Sequence, residues 1–389
     1  MGALDGLKVI EIAGLGPGPF ACMALADMGA EVLRVDRASA VDGADGRPET
    51  TQPDYLLYRG RRSVALDLKH PDGVATVLRL VERADVLVEG FRPGVAERLG
   101  VGPDACHAVN PRLVYGRMTG WGQDGAMARE PGHDINYIAL TGALDATGRA
   151  GQPPTPPLNL VGDFGGGGML LAVGILAALW SARSTGAGQV VDAAMVDGAA
   201  LLMTGFFGWR DLGQWSAERG TNLLDSGAPF YDAYACADGK YVTVGAVEPQ
   251  FYASVLRVMG LDGEYDVASQ NDIAQWPARK ARFAEVFRSR TREEWVRAFT
   301  GQEACFSPVL SLDEAREHPV NVERGTFVEV DGHVQPAPAP RFSATPSATP
   351  GPVALAGQHT VEALRDWGVD AGAVDALLAS GAARTNPHV

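Results

Sequence analysis

The segment from Lys8 to Val35 limits the fold more than any other. Lys8-Val9-Ile10-Glu11-Ile12 is an apolar run of strand length, and Gly14-Leu15-Gly16-Pro17-Gly18 is a loop. Pro19 suits a first helical position, where the N–H it lacks has no intrahelical partner. Phe20 to Met28 carries the helical pattern and Gly29 ends it. Glu31-Val32-Leu33-Arg34-Val35 is the next strand. Strand, helix and strand at this spacing make a βαβ unit, whose crossover requires parallel strands. The pattern continues with a helix over Val74–Arg83 and strands at Val86–Val88, Leu113–Tyr115 and Val190–Met195. The fold class expected is α/β, with a large Rossmann-like domain built on a parallel sheet. The nearly all-apolar stretch Met169 to Ser184 reads as its central helix.

At 389 residues one core is too few, because single cores stop growing at about 250–300 residues. The large domain is placed at 1–195 and completed by 331–389. The second domain, over 230–330, is a smaller α+β one. It has a strand at Lys240–Val244 and helices near 249–259, 277–290 and 292–300. Between them, 196–229 reads as a connector in which Met203, Phe206, Phe207, Trp209 and Trp215 await a covering surface. Residues 335–352, rich in Pro, Ala, Ser and Thr, make an extended connection.

A net charge of −14 disfavours nucleic acid as a partner, since phosphate backbones attract basic surfaces. The four cysteines are far apart and form no CxxC, which fits a reduced cytoplasmic protein and no zinc site. The N-terminus lacks a basic signal-peptide region, and the apolar run Met169–Trp180, interrupted by Gly174, is too short to span a bilayer. No membrane association is expected.

Three motifs carry candidate chemistry. Gly14-x-Gly16 with Asp36 after the second strand is a weak dinucleotide fingerprint. Pro19 stands at the third glycine position and Arg37 adjoins the acid, so no nicotinamide cofactor is expected. Tyr58 to Lys69 is arginine-rich, with Arg92 and Arg98 beyond it. The segment is either a solvated face or a phosphate-binding cluster, and arginine's planar fork suits phosphate. Third, His133 stands in Gly132-His133-Asp134-Ile135-Asn136-Tyr137, Asp163 precedes the glycines Gly165 to Gly168, and Glu248 precedes Pro249. A histidine and two carboxylates beside permissive backbone fit proton transfer. The glycine run offers close approach to a ligand and free N–H groups for an oxyanion. Taken singly, each has an ordinary structural role available, such as helix capping by Asp163.

These motifs together closely resemble the family III CoA-transferase superfamily, over nearly the whole chain. The matching segments include Leu4 to Glu11, Gly14 to Pro19, Asp67 to Lys69, Glu89 to Gly94, Met118 to Gln123, Gly132 to Tyr137, Asn159 to Gly167 and Val191 to Gly198. Residues 41–58 do not match the pattern. The runs around His133 and Asp163 point to the racemase branch of the superfamily. The resemblance implies His133 and Asp163 as two bases, with Glu248 supporting His133. It implies CoA contacts at Arg37, Leu66, Asp67, Leu68, Lys69, Gly90, Phe91, Arg92, Arg98 and Gly132, and at Asp134, Ile135, Asn136 and Tyr137. It also implies an interlocked homodimer, an acyl-CoA thioester as substrate, and no cofactor beyond the CoA moiety, with no metal.

A thioester α-proton is far less acidic than any side chain, so an enolate needs hydrogen-bond donors at its oxygen. Backbone N–H groups around His133-Asp134 or in the glycine run are candidates. Epimerisation needs two groups on opposite faces in complementary protonation states. A histidine near neutrality and a carboxyl group kept protonated by burial can supply them, provided burial outweighs the helix dipole at Asp163. The rival reaction moves CoA between carboxylic acids, with Asp163 as the nucleophile forming an anhydride. A non-catalytic acyl-CoA-binding protein is the other alternative.

Overall fold

The computed structural model describes residues 2–42 and 55–387. Of the unmatched stretch 41–58, residues 43–54 therefore lie outside the described residues. Internal contacts divide the chain into two units: Met1–Thr141 with Leu158–Leu202 and Gly325–Val389, and Gly142–Pro157 with Met203–Arg324.

The first unit is built on seven strands: β1 (Lys8–Ile12), β2 (Glu31–Arg37), β3 (Arg62–Leu66), β4 (Val86–Glu89), β5 (Val114–Thr119), β6 (Val190–Ala194) and, from the C-terminal segment, β12 (Ala383–Arg384). Their order is β12-β3-β2-β1-β4-β5-β6. All pairs are parallel except β12 against β3. The expected strands are present. β3 is an addition, hidden in the sequence by the arginines that open it. Two apolar layers flank the sheet, one with Ile10, Leu33, Val64 and Trp367, the other with Val9, Leu25, Val86 and Ile175. Fully burying one such aliphatic side chain contributes roughly 1.5–3 kcal/mol.

Helix α1 (Pro17–Asp27) starts two residues before the expected Pro19, because both prolines fall in the first turn, where their missing N–H groups cost nothing. Further helices of this unit are α2 (Pro71–Val81), α3 (Val95–Leu99), α4 (Pro103–Val109) and α5 (Asp134–Ala139). Then a π-helix over Leu160–Met169 runs directly into α7 (Leu170–Thr185), and α8 (Met195–Leu202) follows β6.

The arginine segment is committed to the fold rather than to an open phosphate cluster. Arg59 forks onto Asp27 of α1, Arg61 pairs with Glu11 of β1, and Arg62 pairs with Glu31 and Asp366. The first two pairs are buried. Placing β3 beside β2 turns these guanidinium groups onto acids of neighbouring elements, and removing one partner of a buried pair strands the other charge.

The glycine run also departs from expectation. A Cβ on Gly166 would lie 2.6 Å from the Ala199 nitrogen, and one on Gly168 would lie 2.7 Å from the Pro17 oxygen. A Cβ on Gly198 would lie 1.8 Å from the Gly166 oxygen. These glycines let the π-helix touch α8 and α1 backbone to backbone, so their purpose is packing and not ligand approach. Gly174 likewise does not break its helix. It brings α7 against Val191, whose Cγ1 a Cβ would meet at 2.7 Å. The continuous helix Leu160–Thr185 has 26 residues, and an 18-residue window within it has a mean hydropathy of 1.7, long and apolar enough to cross a membrane by length and composition. That corrects the expectation of a run too short to span. Leu171, Ala172, Ile175 and Ala178 pack in the core, whereas Met169, Val173 and Trp180 are exposed. The helix is thus buried on one face only.

The second unit has a three-stranded antiparallel sheet of β7 (Tyr231–Ala235), β8 (Tyr241–Gly245) and β9 (Phe306–Pro308). Helices α10 (Pro249–Met259), α11 (Trp276–Phe287) and α12 (Arg292–Phe299) enclose an aromatic core with it, including Phe230, Tyr252, Phe283 and Trp295. Its boundaries differ from those expected. Residues 142–157 belong to it because Arg149 forks onto Asp232 at 2.8 and 2.9 Å and Arg219 binds Asp145 and Gln152. The stretch 203–229 is part of this unit too. Within it Phe206, Trp209 and Trp215 stack on one another, and Asn222 and Asp225 tie a turn together.

Gly198→Ala should destabilise the protein by about 1–3 kcal/mol, the usual cost of forcing atoms into a filled contact. Gly372→Ala, on helix α16 (Ala371–Ser380), where the nearest atom is at 3.6 Å, should be neutral or stabilising by up to about 1 kcal/mol. Denaturant midpoints of the two variants check this contrast.

Candidate active site

In an open parallel sheet the crevice lies beyond the carboxyl ends of the strands, where the strand order reverses. Here that point is between β1 and β4, which pair with each other while their crossovers lead to opposite sides. A cavity of about 720 Å³ opens there. Its walls come from the loop after β1 (Leu15, Gly16), the loop after β4 (Gly90 to Pro93), the end of β5 (Met118 to Trp121), α5 and the π-helix. It holds both His133 and Asp163.

His133 is exposed and caps α5 in an extended conformation. Asn136 reaches back from the first turn, its Oδ1 accepting the His133 N–H at 3.0 Å, which fixes the backbone that carries the imidazole. Tyr137 closes the other side. Its ring lies against Gly120 and Gly132, where any Cβ would collide with it. Its hydroxyl donates to the Gly132 carbonyl, and Trp121 packs edge-on against it at 4.7 Å.

Asp163 is half-buried in the first turn of the π-helix. Asn159 Nδ2 donates to its Oδ2 at 3.1 Å. Burial pushes its carboxyl above the ordinary aspartate value, and the negative Asp134 pushes the same way. The Asn159 hydrogen bond and His133 oppose that shift without reversing it. Burial is thus the largest of these influences, and it acts in the direction an acid role requires. Asn159 was not among the expected site residues, although its position four residues before Asp163 on a helix was a usable signal.

The expectation of free N–H groups in the glycine run meets a correction, because Gly165 to Gly168 lie inside the π-helix, whose i→i−5 hydrogen bonds take their N–H groups. The N–H groups of Gly162 and Asp163 both donate to Asp134 Oδ2, at 2.6 and 2.8 Å. With the His133 N–H bound to Asn136, the first-turn N–H groups of Asp134 and Ile135 remain candidates near the two bases, Asp134 being adjacent to His133.

The expected CoA-contact residues fall into two groups. Gly90, Phe91, Arg92, Gly132, Asn136 and Tyr137 line the cavity. Arg37, Lys69 and Arg98 do not, but lie on the same carboxyl edge, at the end of β2, after β3 and on α3. All four cations, Arg92 included, are exposed, and among the described residues none has an ion pair or side-chain hydrogen bond. This sets them apart from Arg34, Arg59, Arg61 and Arg117, which are buried in ion pairs. Leu66 is buried and paired to Ala383, so its side chain faces the core and not a ligand. Asp67 accepts the Lys69 N–H at 2.9 Å and shapes the turn. Leu68 packs against the core, Ile135 is exposed, and Asp134 points inward.

Glu248 belongs to the second unit. It is exposed and caps α10, and its carbonyl accepts the Tyr252 N–H at 3.0 Å. The loop before it is held by the buried Gln270 amide, which donates to the Ala246 and Val247 carbonyls at 3.0 and 2.9 Å. Among the described residues no group of three or more His, Cys, Asp or Glu is arranged to hold a metal ion.

Comparison with known proteins identifies the family. The model of CoA-transferase family III matches residues 4–360. The α-methylacyl-CoA racemase of Mus musculus is 47% identical over 370 residues, covering 94% of this chain and 93% of the mouse protein. That of Homo sapiens is 45% identical, covering 94% of each. The crystal structure of a CaiB/BaiF family protein from Brucella suis superposes with a TM-score of 0.80 at 23% identity. It covers 94% of this chain and 99% of that one, a likeness of fold. The chain belongs to CoA-transferase family III.

Proposed function

We propose that this protein interconverts the R and S epimers of 2-methylacyl-CoA thioesters by moving the α-proton through an enolate. The observation that carries this reading is the pairing in one cavity of an exposed histidine with a half-buried aspartate whose carboxyl is biased toward its protonated form. Neutral His133 takes the α-proton from one face. The electron pair left on carbon delocalises onto the thioester oxygen, where the Asp134 N–H donates. Protonated Asp163 then gives its proton to the opposite face, leaving imidazolium and carboxylate; the reverse reaction runs the same steps backwards. Identity to the mouse and human racemases supports this assignment over CoA transfer through an aspartyl anhydride, for which His133 would have no task.

In this proposal the CoA moiety is held along the carboxyl edge by Arg37, Lys69, Arg92 and Arg98, and no further cofactor or metal is needed. Glu248 fixes the His133 tautomer, reaching it from a second copy of the chain in an interlocked homodimer. The exposed apolar side chains Val173, Trp180, Leu201 and Leu202 of the first unit support a partner surface of this kind.

His133→Ala and Asp163→Ala should each slow racemisation by about a hundredfold or more, the scale of a general acid–base contribution. Deuterium entry from heavy water at the α-carbon, followed for each enantiomer, measures it. Wild-type rates in both variants would remove the two-base mechanism, and CoA exchange between acids without deuterium entry would favour the transferase.

Arg92→Ala should weaken CoA binding about tenfold, the loss of one charge-assisted contact. Arg62→Ala, whose partners are Glu31 and Asp366, should leave binding unchanged. Calorimetric titration with CoA separates the two, and equal affinities would return Arg92 to a solvated-surface role.

A further inference from the structure

Asp134 is buried, yet its carboxylate is not spent on a cation. Among the described residues it has no ion pair, and its Oδ1 has no hydrogen-bond partner. All of its visible bonding is through Oδ2, to the N–H groups of Gly162 and Asp163. It also follows His133 directly in the chain and is the first residue of α5. One residue thus fastens the backbone of one proposed base to the backbone of the other. The neighbouring geometry serves that clamp: a Cβ on Gly162 would lie 2.6 Å from Asp134 Oδ2, so only glycine lets the carboxylate reach the two N–H groups. A buried carboxylate with one oxygen unpartnered is costly, and a hydrophobic or amide residue would fill the space at lower cost. Its charge therefore calls for a use.

We infer that Asp134 is a positioning residue for the two-base reaction: its carboxylate sets the placement of Asp163 relative to His133, and its negative charge keeps Asp163 in the acid form between turnovers. This rests on the proposed epimerisation. The clamp supplies geometry through two charge-assisted hydrogen bonds to a backbone otherwise able to shift. The charge supplies a like-sign neighbour, which disfavours ionisation of Asp163.

The groups that bear on Asp163 are few. From α5 they are His133, Asp134 and Tyr137, and the Asn159 amide donates to it. Arg92 and Glu130 are the other charged groups lining the cavity. On the further elements packed against the π-helix, Asp27 of α1 is tied to Arg59 and Arg117 of β5 to Glu89 and Glu97. Asp192 of β6 accepts the Gln123 N–H, and Asp197 of α8 is exposed. Cys22 of α1 is buried and its thiol is held well above its ordinary value. Asp134 is thus the only anion described as acting on Asp163, and its removal should lower the Asp163 pKa.

The test compares Asp134→Ala with Asp134→Asn. The asparagine keeps an oxygen for the two N–H groups and loses the charge. Alanine should cut kcat for epimerisation about a hundredfold with KM changed less than about threefold, since substrate contacts remain. Asparagine should restore kcat to within about tenfold of wild type, but with an altered pH profile. The limb that falls as protonated Asp163 is lost with rising pH should move to lower pH. Titration of the Asp163 carboxyl carbon by NMR, assigned with Asp163→Asn, gives a readout independent of activity and of whether the alanine variant folds. It should shift downward in Asp134→Asn. An unmoved Asp163 titration, or an asparagine variant no more active than alanine, overturns the inference. A wild-type protein that puts no deuterium into any 2-methylacyl-CoA overturns the proposed reaction instead, and the NMR shift still decides what Asp134 does.

Discussion

The backbone contact between the π-helix and α8 is the constraint on which the site depends. Gly166 and Gly198 meet with no room for a methyl group on either, and Gly168 rests on Pro17 of α1 in the same way. Three chain segments from different parts of the sequence are locked together at the carboxyl edge of the sheet. Asp163, in the first turn of the π-helix, inherits its place from that lock. Close-packed interiors relax little, so the position of a side chain carried on such a helix is set by the packing behind it. The Asp134 carboxylate adds two hydrogen bonds to the first turn of that helix, from the Gly162 and Asp163 N–H groups.

Much of this was legible in the sequence, and the parts that were not have physical causes. The βαβ unit could be read because its strands are buried on both faces and run as plain apolar stretches. β3 was missed because Arg61 and Arg62 look like surface, yet Arg61 is buried against Glu11. A charge cancelled by a partner fifty positions away leaves no local trace. His133 and Asp163 stood out because both occur among glycines and polar residues, and one cavity holds them. The role of the glycines was misread for a related reason. A glycine needed for helix contact and one needed for a ligand look the same until the opposing backbone is known.

The domain boundaries follow the same rule. Ion pairs formed by Arg149 and Arg219 assign residues 142–157 to the second unit, and nothing in that Pro- and Gly-rich stretch announces them. The aromatic residues of 203–229 were legible as unusual but not as a cluster, since Trp209 and Trp215 stack with each other. Composition shows that a surface needs covering; only three-dimensional placement shows how much of the cover is supplied from nearby in the chain.

The four cations at the carboxyl edge, unpaired among the described residues, sit on a molecule whose net charge is −14. Two fields of opposite sign therefore act on any polyanion that approaches. At low salt, where the Debye length reaches about 30 Å, the net charge of the whole protein repels it on approach, while at contact Arg37, Lys69, Arg92 and Arg98 attract it. Added salt screens both. It hastens the encounter by weakening the long-range barrier and shortens the residence time by weakening the grip. Association and dissociation rates thus both rise with ionic strength, a kinetic signature opposite to that of an electrostatically steered complex, in which salt slows arrival.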